Sequence, residues 1–168
     1  MSYEYSEDEL IEKTAIDLFY HQLGWDTVLA YNKETFGSGG TLGRLDRNEV
    51  ILRKIFLESV RRMNPGLPDK AYQEAYEKVT EYSVTKSLAD INYEKHQMVR
   101  DGVQVDFIND RGEHIRNKTI KIVDFDHVEN NNFLAVRQLW VKGWASSNRR
   151  PDIIGFVNGI PLVYIELK

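Results

Sequence analysis

The hydrophobic period of this chain changes once, at Val103, and that switch limits the folds open to it. Before Val103, apolar residues recur every three or four positions; beyond it they alternate with polar ones. Helices gathered ahead of strands point to an α/β protein of the α+β kind, with helices backing a sheet.

Four helices are expected. Ser6-Glu7-Asp8-Glu9 is a capping box, followed by Leu10, Ile11, Ala15, Ile16, Phe19 and Leu23 at helical spacing, with Gly24 as the stop. Asp46 with Glu49 caps a second helix whose apolar face holds Ile51, Ile55 and Val60, ending before Pro65. A third starts near Pro68 and repeats Tyr72, Tyr76 and Val79 along one side, a stripe that reads as core packing rather than a base-stacking platform. A fourth covers about 87–99. Between the first two, "FGSGGTLGR" lacks the spacing and Lys-Ser/Thr of a phosphate-binding loop and reads as flexible backbone.

Past the switch, Val103, Val105 and Phe107 alternate with polar residues up to a turn at "DRGE". "KTIKIVDF" and "FLAVRQLWV" follow as strands around an "ENNN" turn. "PDIIGFV" and "PLVYIEL" close the chain and are apolar on both faces, which predicts central strands covered by helices on each side. No repeat, low-complexity tract or second domain is visible. Residues 1–168 read as one domain, long enough to bury a proper core.

The terminal pair poses the chemical question. An apolar strand ends on Glu166 and Lys168, and buried charge is costly unless it is paired or bound to something. Asp152, Glu166 and Lys168 form a spaced set, Pro-Asp, thirteen residues, then Glu-x-Lys. Carboxylates at the ends of neighbouring strands can share a hard cation such as Mg²⁺, which takes oxygen ligands and keeps several waters. Such an ion polarises a phosphodiester and acidifies water, and a nearby lysine can offset charge developing on the phosphorane.

Register decides whether this is geometrically possible. A two-residue turn on Asn158-Gly159 pairs positions whose numbers sum to 317, which sends Asp152 and Glu166 to opposite faces. An even sum brings them together, so the chemistry requires an odd loop or a bulge. Val157-Asn158-Gly159 suits a three-residue loop with glycine in the left-handed position.

Charge and composition narrow the class further. The net charge of −4 argues against a general nucleic-acid binder, but residues 1–35 carry eight acids against two bases, whereas 137–168 carries five bases against two acids. There are no cysteines, so neither disulfides nor thiolate metal sites arise, and no apolar run approaches the roughly 18 residues of a membrane span. A cytoplasmic protein is expected. His21, His96, His114 and His127 have no metal-ligand spacing, and Asp124-x-Asp126 lacks the glycine and distal glutamate of a calcium loop.

The stretches "GTLGRLDRNEVIL", "RRMNPGLPDKAYQEA", "DGVQVDF", "VDFDHVENNNFLAVRQLWV" and "NRRPDIIGFVNGIPLVYIELK" resemble the N-terminal nuclease region of the restriction (translocase) subunit of type I restriction–modification enzymes, over about residues 6–168. The resemblance implies the restriction-endonuclease-like fold of the Pro-Asp/Glu-x-Lys nucleases, a mixed sheet flanked by helices, here with an N-terminal helical elaboration. It implies Asp152 and Glu166 as metal ligands, the Leu167 carbonyl as a further ligand, Lys168 as the catalytic lysine and Mg²⁺ as cofactor. A first-helix glutamate often joins such sites; Glu9 occupies the matching place, with Glu12 the second candidate, although Glu9 is equally the third residue of a capping box.

Arg149 and Arg150 are candidate DNA phosphate contacts, or else exposed strand-end charges. Trp140 and Trp144, flanking Lys142, could stack on a base or pack internally. The implied activity is Mg²⁺-dependent cleavage of double-stranded DNA after ATP-driven translocation. Its implied partners are DNA, the methyltransferase and specificity subunits, and the other domains of the same subunit. The family continues past the Glu-x-Lys strand into a helix with a Gln-x-x-x-Tyr element and two ATPase lobes. ATP use is assigned to those parts, and the chain is expected to be a fragment that cuts DNA poorly alone. A non-catalytic docking module for DNA or subunits is the alternative. An unrelated nuclease of the same fold is disfavoured by the matching stretches between residues 41 and 140.

Overall fold

The computed structural model describes residues 7–142 and 147–167, with the side chains of residues 7–9 left aside. Its helices are α1 (Glu7–His21), α2 (Arg53–Met63), α3 (Asp69–Thr80) and α4 (Leu88–Asp101). Its strands are β1 (Asp26–Leu29), β2 (Val103–Ile108), β3 (His114–Ile120), β4 (Phe133–Arg137), β5 (Val141–Lys142), β6 (Asn148–Arg149), β7 (Ile153–Val157) and β8 (Ile160–Ile165). This is the expected α+β class, with helices and a mixed sheet. The chain packs as two compact units, one of residues 1–54 with 132–168 and one of residues 55–131.

In the first unit the strands run β1-β4-β7-β8, with β1 parallel to β4 and the other neighbours antiparallel. The strand β1 was not anticipated from the sequence. Helix α1 lies on one face of this sheet, packing Ile16 and Phe19 against Ala135 and Ile153, with Trp25, Ile165 and Leu167 around them. Burying each large apolar side chain contributes roughly 1.5–3 kcal/mol. The stripe on α1 is narrower than its composition suggests. Leu10, Ile11 and Leu23 are exposed, while Glu12, one turn before Ile16, is buried.

The run "FLAVRQLWV" is not one strand. It stops at Arg137 because Gln138 takes a left-handed backbone, φ 55°, and pairing resumes only at Val141. Nor does β4 pair with the preceding strand; its partners are β1 and β7. Of the final pair, β7 is central as expected, but β8 is an edge strand that exposes Leu162 and Tyr164. The glycine loop is ordered rather than flexible. Gly37 N–H donates to the Arg44 carbonyl at 2.9 Å and Thr41 N–H to the Thr35 carbonyl at 3.1 Å, closing a turn that delivers Arg44 into the interior.

Gly155 sits at the middle of β7, where an added Cβ would come within 2.9 Å of Val163 Cβ and 3.0 Å of the Trp25 ring. Both neighbours are held by packing, so Gly155→Ala is expected to cost about 1–3 kcal/mol. Thermal unfolding checks this; an unchanged midpoint would mean that Trp25 gives way.

The second unit contains most of α2, with α3, α4 and the antiparallel hairpin β2–β3. Asp46 and Glu49 do not cap α2, which begins at Arg53. Their carboxylates instead take the amides of Asn48 and Leu45, each at 2.7 Å, in a turn. The tyrosine stripe of α3 is core, as expected: the Tyr72 hydroxyl donates to the Asn64 carbonyl at 2.6 Å, and Tyr76 meets Phe56 edge-on. Ser87 caps α4 by accepting the Asp90 amide. Strand β3 ends at Ile120, earlier than the alternation suggests, and residues 121–131 are organised by Asp124. Its carboxylate accepts the Asn130 side chain and the His127 and Asp126 amides, and the Asn130 and His127 bonds, with Lys121 beside it, hold it far below the usual carboxylate range. Asp124 is therefore occupied as a loop brace.

Candidate active site

The hairpin β7–β8 turns on two residues, not three. Asn158 (φ 51°) and Gly159 (φ 78°) both adopt the left-handed conformation of a type I′ turn. Pairing next to the turn, Val157 with Ile160 and Phe156 with Pro161, has the odd sum that would separate the carboxylates. The register then shifts. Gly155 pairs with Val163, Ile154 with Tyr164 and Ile153 with Ile165, leaving Leu162 as the extra residue of a β-bulge. Continued by one step, this register puts Asp152 opposite Glu166 on one face. The bulge, not the loop, supplies the even count.

Asp152 is half-buried and held from two sides. Its Oδ2 accepts the Leu167 backbone amide at 2.7 Å, tying the start of β7 to the end of β8. Its carbonyl accepts the Gln138 amide at 2.9 Å, and the Gln138 Nε2 lies 3.4 Å from its Oδ1. The same Nε2 donates to Glu12, whose other oxygen meets Arg137 at 3.1 Å. One side-chain amide thus bridges two carboxylates. Gln138 does this from a backbone conformation that costs a non-glycine residue about 1 kcal/mol or more.

Glu166 is exposed and accepts the Tyr164 hydroxyl at 2.7 Å. That bond, with partial burial and the Glu166 charge, pushes the phenol above its ordinary range. Asp152 adds to the rise and Arg149 opposes it.

Among the sequence candidates, Asp152 and Leu167 are joined by a hydrogen bond, and Glu166 precedes Leu167 at the end of the same hairpin. Arg150, also exposed, lies over the rings of Tyr31 and Trp140. Lys168 and Trp144 fall outside the described residues, as does the side chain of Glu9. Of the two first-helix glutamates, Glu12 is the one whose described side chain reaches the Gln138–Asp152 network. Gln138 and Tyr164 were not singled out from sequence. No motif marks them, whereas Glu12 was already the second first-helix candidate.

The donor set suits a hard cation, being two carboxylates and a backbone carbonyl with no nitrogen or sulfur. Among the described residues no three acidic or histidine side chains form a ready-made cage. A magnesium ion, which keeps several waters, fits such a small oxygen set.

The Pro-Asp and Glu-x-Lys ends of this hairpin are the ones on which the resemblance to restriction-enzyme subunits rests. A family model described as "Type I restriction enzyme R protein N terminus" matches residues 4–168, and the chain belongs to that family. It is similar to the type I restriction enzyme HindI endonuclease subunit of Haemophilus influenzae, 36% identical over 87% of this chain and 13% of that protein. It is also similar to the putative type I restriction enzyme MjaIXP endonuclease subunit of Methanocaldococcus jannaschii, 26% identical over 97% of this chain and 15% of that one. The chain thus spans less than a sixth of the length of these relatives. Among the described residues no helix is long and apolar enough to cross a membrane.

Proposed function

We propose that this chain is the endonuclease domain of a type I restriction–modification enzyme, hydrolysing phosphodiester bonds of double-stranded DNA with Mg²⁺. Cleavage follows ATP-driven translocation by motor domains outside this sequence, within a cytoplasmic complex that includes methyltransferase and specificity subunits. The observation that carries this reading is the bulged register, which brings the Asp152 and Glu166 positions opposite one another at the end of an otherwise apolar hairpin.

Asp152, Glu166 and the Leu167 carbonyl would hold the ion. When bound, it supplies Lewis acidity toward a phosphoryl oxygen and makes water acidic enough to attack near neutral pH. Around it the chain's own groups have separate tasks. The Leu167 amide and Gln138 fix the Asp152 carboxylate, and Tyr164 fixes that of Glu166. Glu12, buried and paired with Arg137, anchors Gln138 from α1. Lys168, at the matching place for the catalytic lysine, would offset charge developing on the phosphorane oxygens. Arg149 and Arg150 would take flanking phosphates.

Glu166→Ala and Lys168→Ala in the complete enzyme test this. Both are expected to abolish DNA cleavage while leaving DNA-stimulated ATP hydrolysis intact, and Lys168→Ala should spare metal binding because lysine is not a ligand. Normal cleavage by Glu166→Ala would sink the metal site and favour a docking module.

A further inference from the structure

Beside the hairpin, Tyr31, Arg47, Trp140 and Arg150 are linked by successive cation–ring contacts. The Arg150 guanidinium carbon lies 4.7 Å from the centre of the Tyr31 ring and 5.2 Å from that of Trp140. The Arg47 guanidinium carbon lies 5.3 Å from the same Trp140 centre. Each contact falls within the range over which a ring quadrupole attracts a cation.

The backbone beneath these side chains is fixed. The Trp140 carbonyl accepts a 2.5 Å hydrogen bond from the fully buried Arg44, and the Arg47 carbonyl accepts the Lys142 amide at 2.9 Å. Short pairing of Val141 with Arg149 and Lys142 with Asn148 keeps the strand bearing Arg149, and Arg150 after it, alongside.

A guanidinium attracted to a ring through its charge still has its N–H donors available to other partners. Both arginines are exposed, and among the described residues no carboxylate pairs with Arg47, Arg149, Arg150 or Lys142. The nearest acids in sequence to Arg47 are engaged elsewhere, since Asp46 and Glu49 accept backbone amides. What remains is two exposed guanidiniums held beside aromatic rings before any ligand arrives. Planar bidentate donation to a tetrahedral oxyanion is the recognition for which arginine is suited. Trp140 is half-buried and already carries two guanidiniums, so it supports arginines rather than offering a free face to a base.

We propose that the Tyr31–Arg150–Trp140–Arg47 cluster is a preorganised clamp for the backbone phosphates of duplex DNA. The clamp rests on the nuclease assignment for its purpose. Arg150 is two residues from Asp152, at most about 7 Å along an extended chain, so a phosphate held there lies beside the acid pair. The clamp reads no sequence, because phosphates carry none directly.

The test uses this chain carrying Asp152→Asn, so that cleavage cannot interfere and the fold is kept. Binding to two short duplexes of unrelated sequence is followed by fluorescence anisotropy over a salt series. Adding Arg47→Ala and Arg150→Ala together is expected to weaken both duplexes equally, by about tenfold or more. The log–log salt slope should become shallower by about one for each arginine removed. Arg150→Lys keeps the charge but not the planar guanidinium and should fall between; it also serves if the alanine variants do not fold. Trp140→Leu should weaken binding with the slope unchanged, because the charges remain.

Unaltered affinity and slope in the double variant would overturn the clamp, as would a loss confined to one duplex or no binding even at low salt. Intact DNA binding combined with failure to assemble with the methyltransferase subunits would assign the cluster to protein docking and overturn the clamp equally. Cleavage assays of Asp152→Ala in the complete enzyme judge the nuclease assignment separately, so either can fail without the other.

Discussion

Asp152→Asn should leave the fold intact and lower DNA cleavage in the complete enzyme by about a thousandfold, a loss of ~4 kcal/mol of transition-state stabilisation. Asparagine keeps an oxygen that can accept the Leu167 amide, so the tie between the two strand ends survives. It removes the charge that a cation requires. Asp152→Ala removes both, and should add a loss of stability of roughly 1–3 kcal/mol from the Leu167 amide and Gln138 left without their acceptor. Comparing the two substitutions separates the chemical task of Asp152 from its structural one. Thermal unfolding should distinguish them while cleavage does not, and ATP hydrolysis stimulated by DNA should persist in both. Cleavage by Asp152→Asn at the normal rate would show that charge at this position is not needed, and the proposed site would have to be abandoned.

The largest expected loss of stability lies elsewhere, at Glu34. Arg44 is fully buried, and its guanidinium is held by both Glu34 oxygens and the Trp140 carbonyl. Glu34→Ala leaves that cation without its counter-charge in a place water does not reach, at a cost of about 3–5 kcal/mol. A second change, Arg44→Met, should recover much of the loss, because removing both charges is far less costly than removing one. Chemical denaturation of the single and double variants measures this coupling directly. If Glu34→Ala proves no less stable than the parent, Arg44 is not desolvated as its burial implies. Because Arg44 also anchors the Trp140 backbone, the single variant should weaken DNA binding even where it remains folded.

The glycine loop and Arg44 show where sequence reading fell short. "FGSGGTLGR" contains no periodic pattern, and nothing local indicates that its arginine turns inward. That outcome depends on Glu34 ten residues before it and Trp140 far downstream. The helix cap read at Asp46 failed for a related reason. Asx and capping interactions use the same atoms, and here the amides they meet belong to a turn. Gln138 was hidden because no local pattern marks its left-handed backbone and its side-chain partners, Glu12 and Asp152, come from other elements.

What the chain dictated locally was the sequence of helices followed by strands, the tyrosine core of α3, the Ser87 start of α4, and the hairpin whose ends carry Asp152 and Glu166. Each of these depends on residues within a few positions of one another, where period, capping and turn chemistry act. The arithmetic of the hairpin was also local, in that it required one extra residue. Where that residue sits was not. Asn158-Gly159 alone favours a plain two-residue turn, and the shift falls at Leu162 beside Gly155, where Val163 and Trp25 crowd a position without a side chain. The surroundings of Asp152 were likewise settled only in three dimensions, since Gln138 reaches it from 14 residues away and is itself held by Glu12 of α1, 126 residues before Gln138.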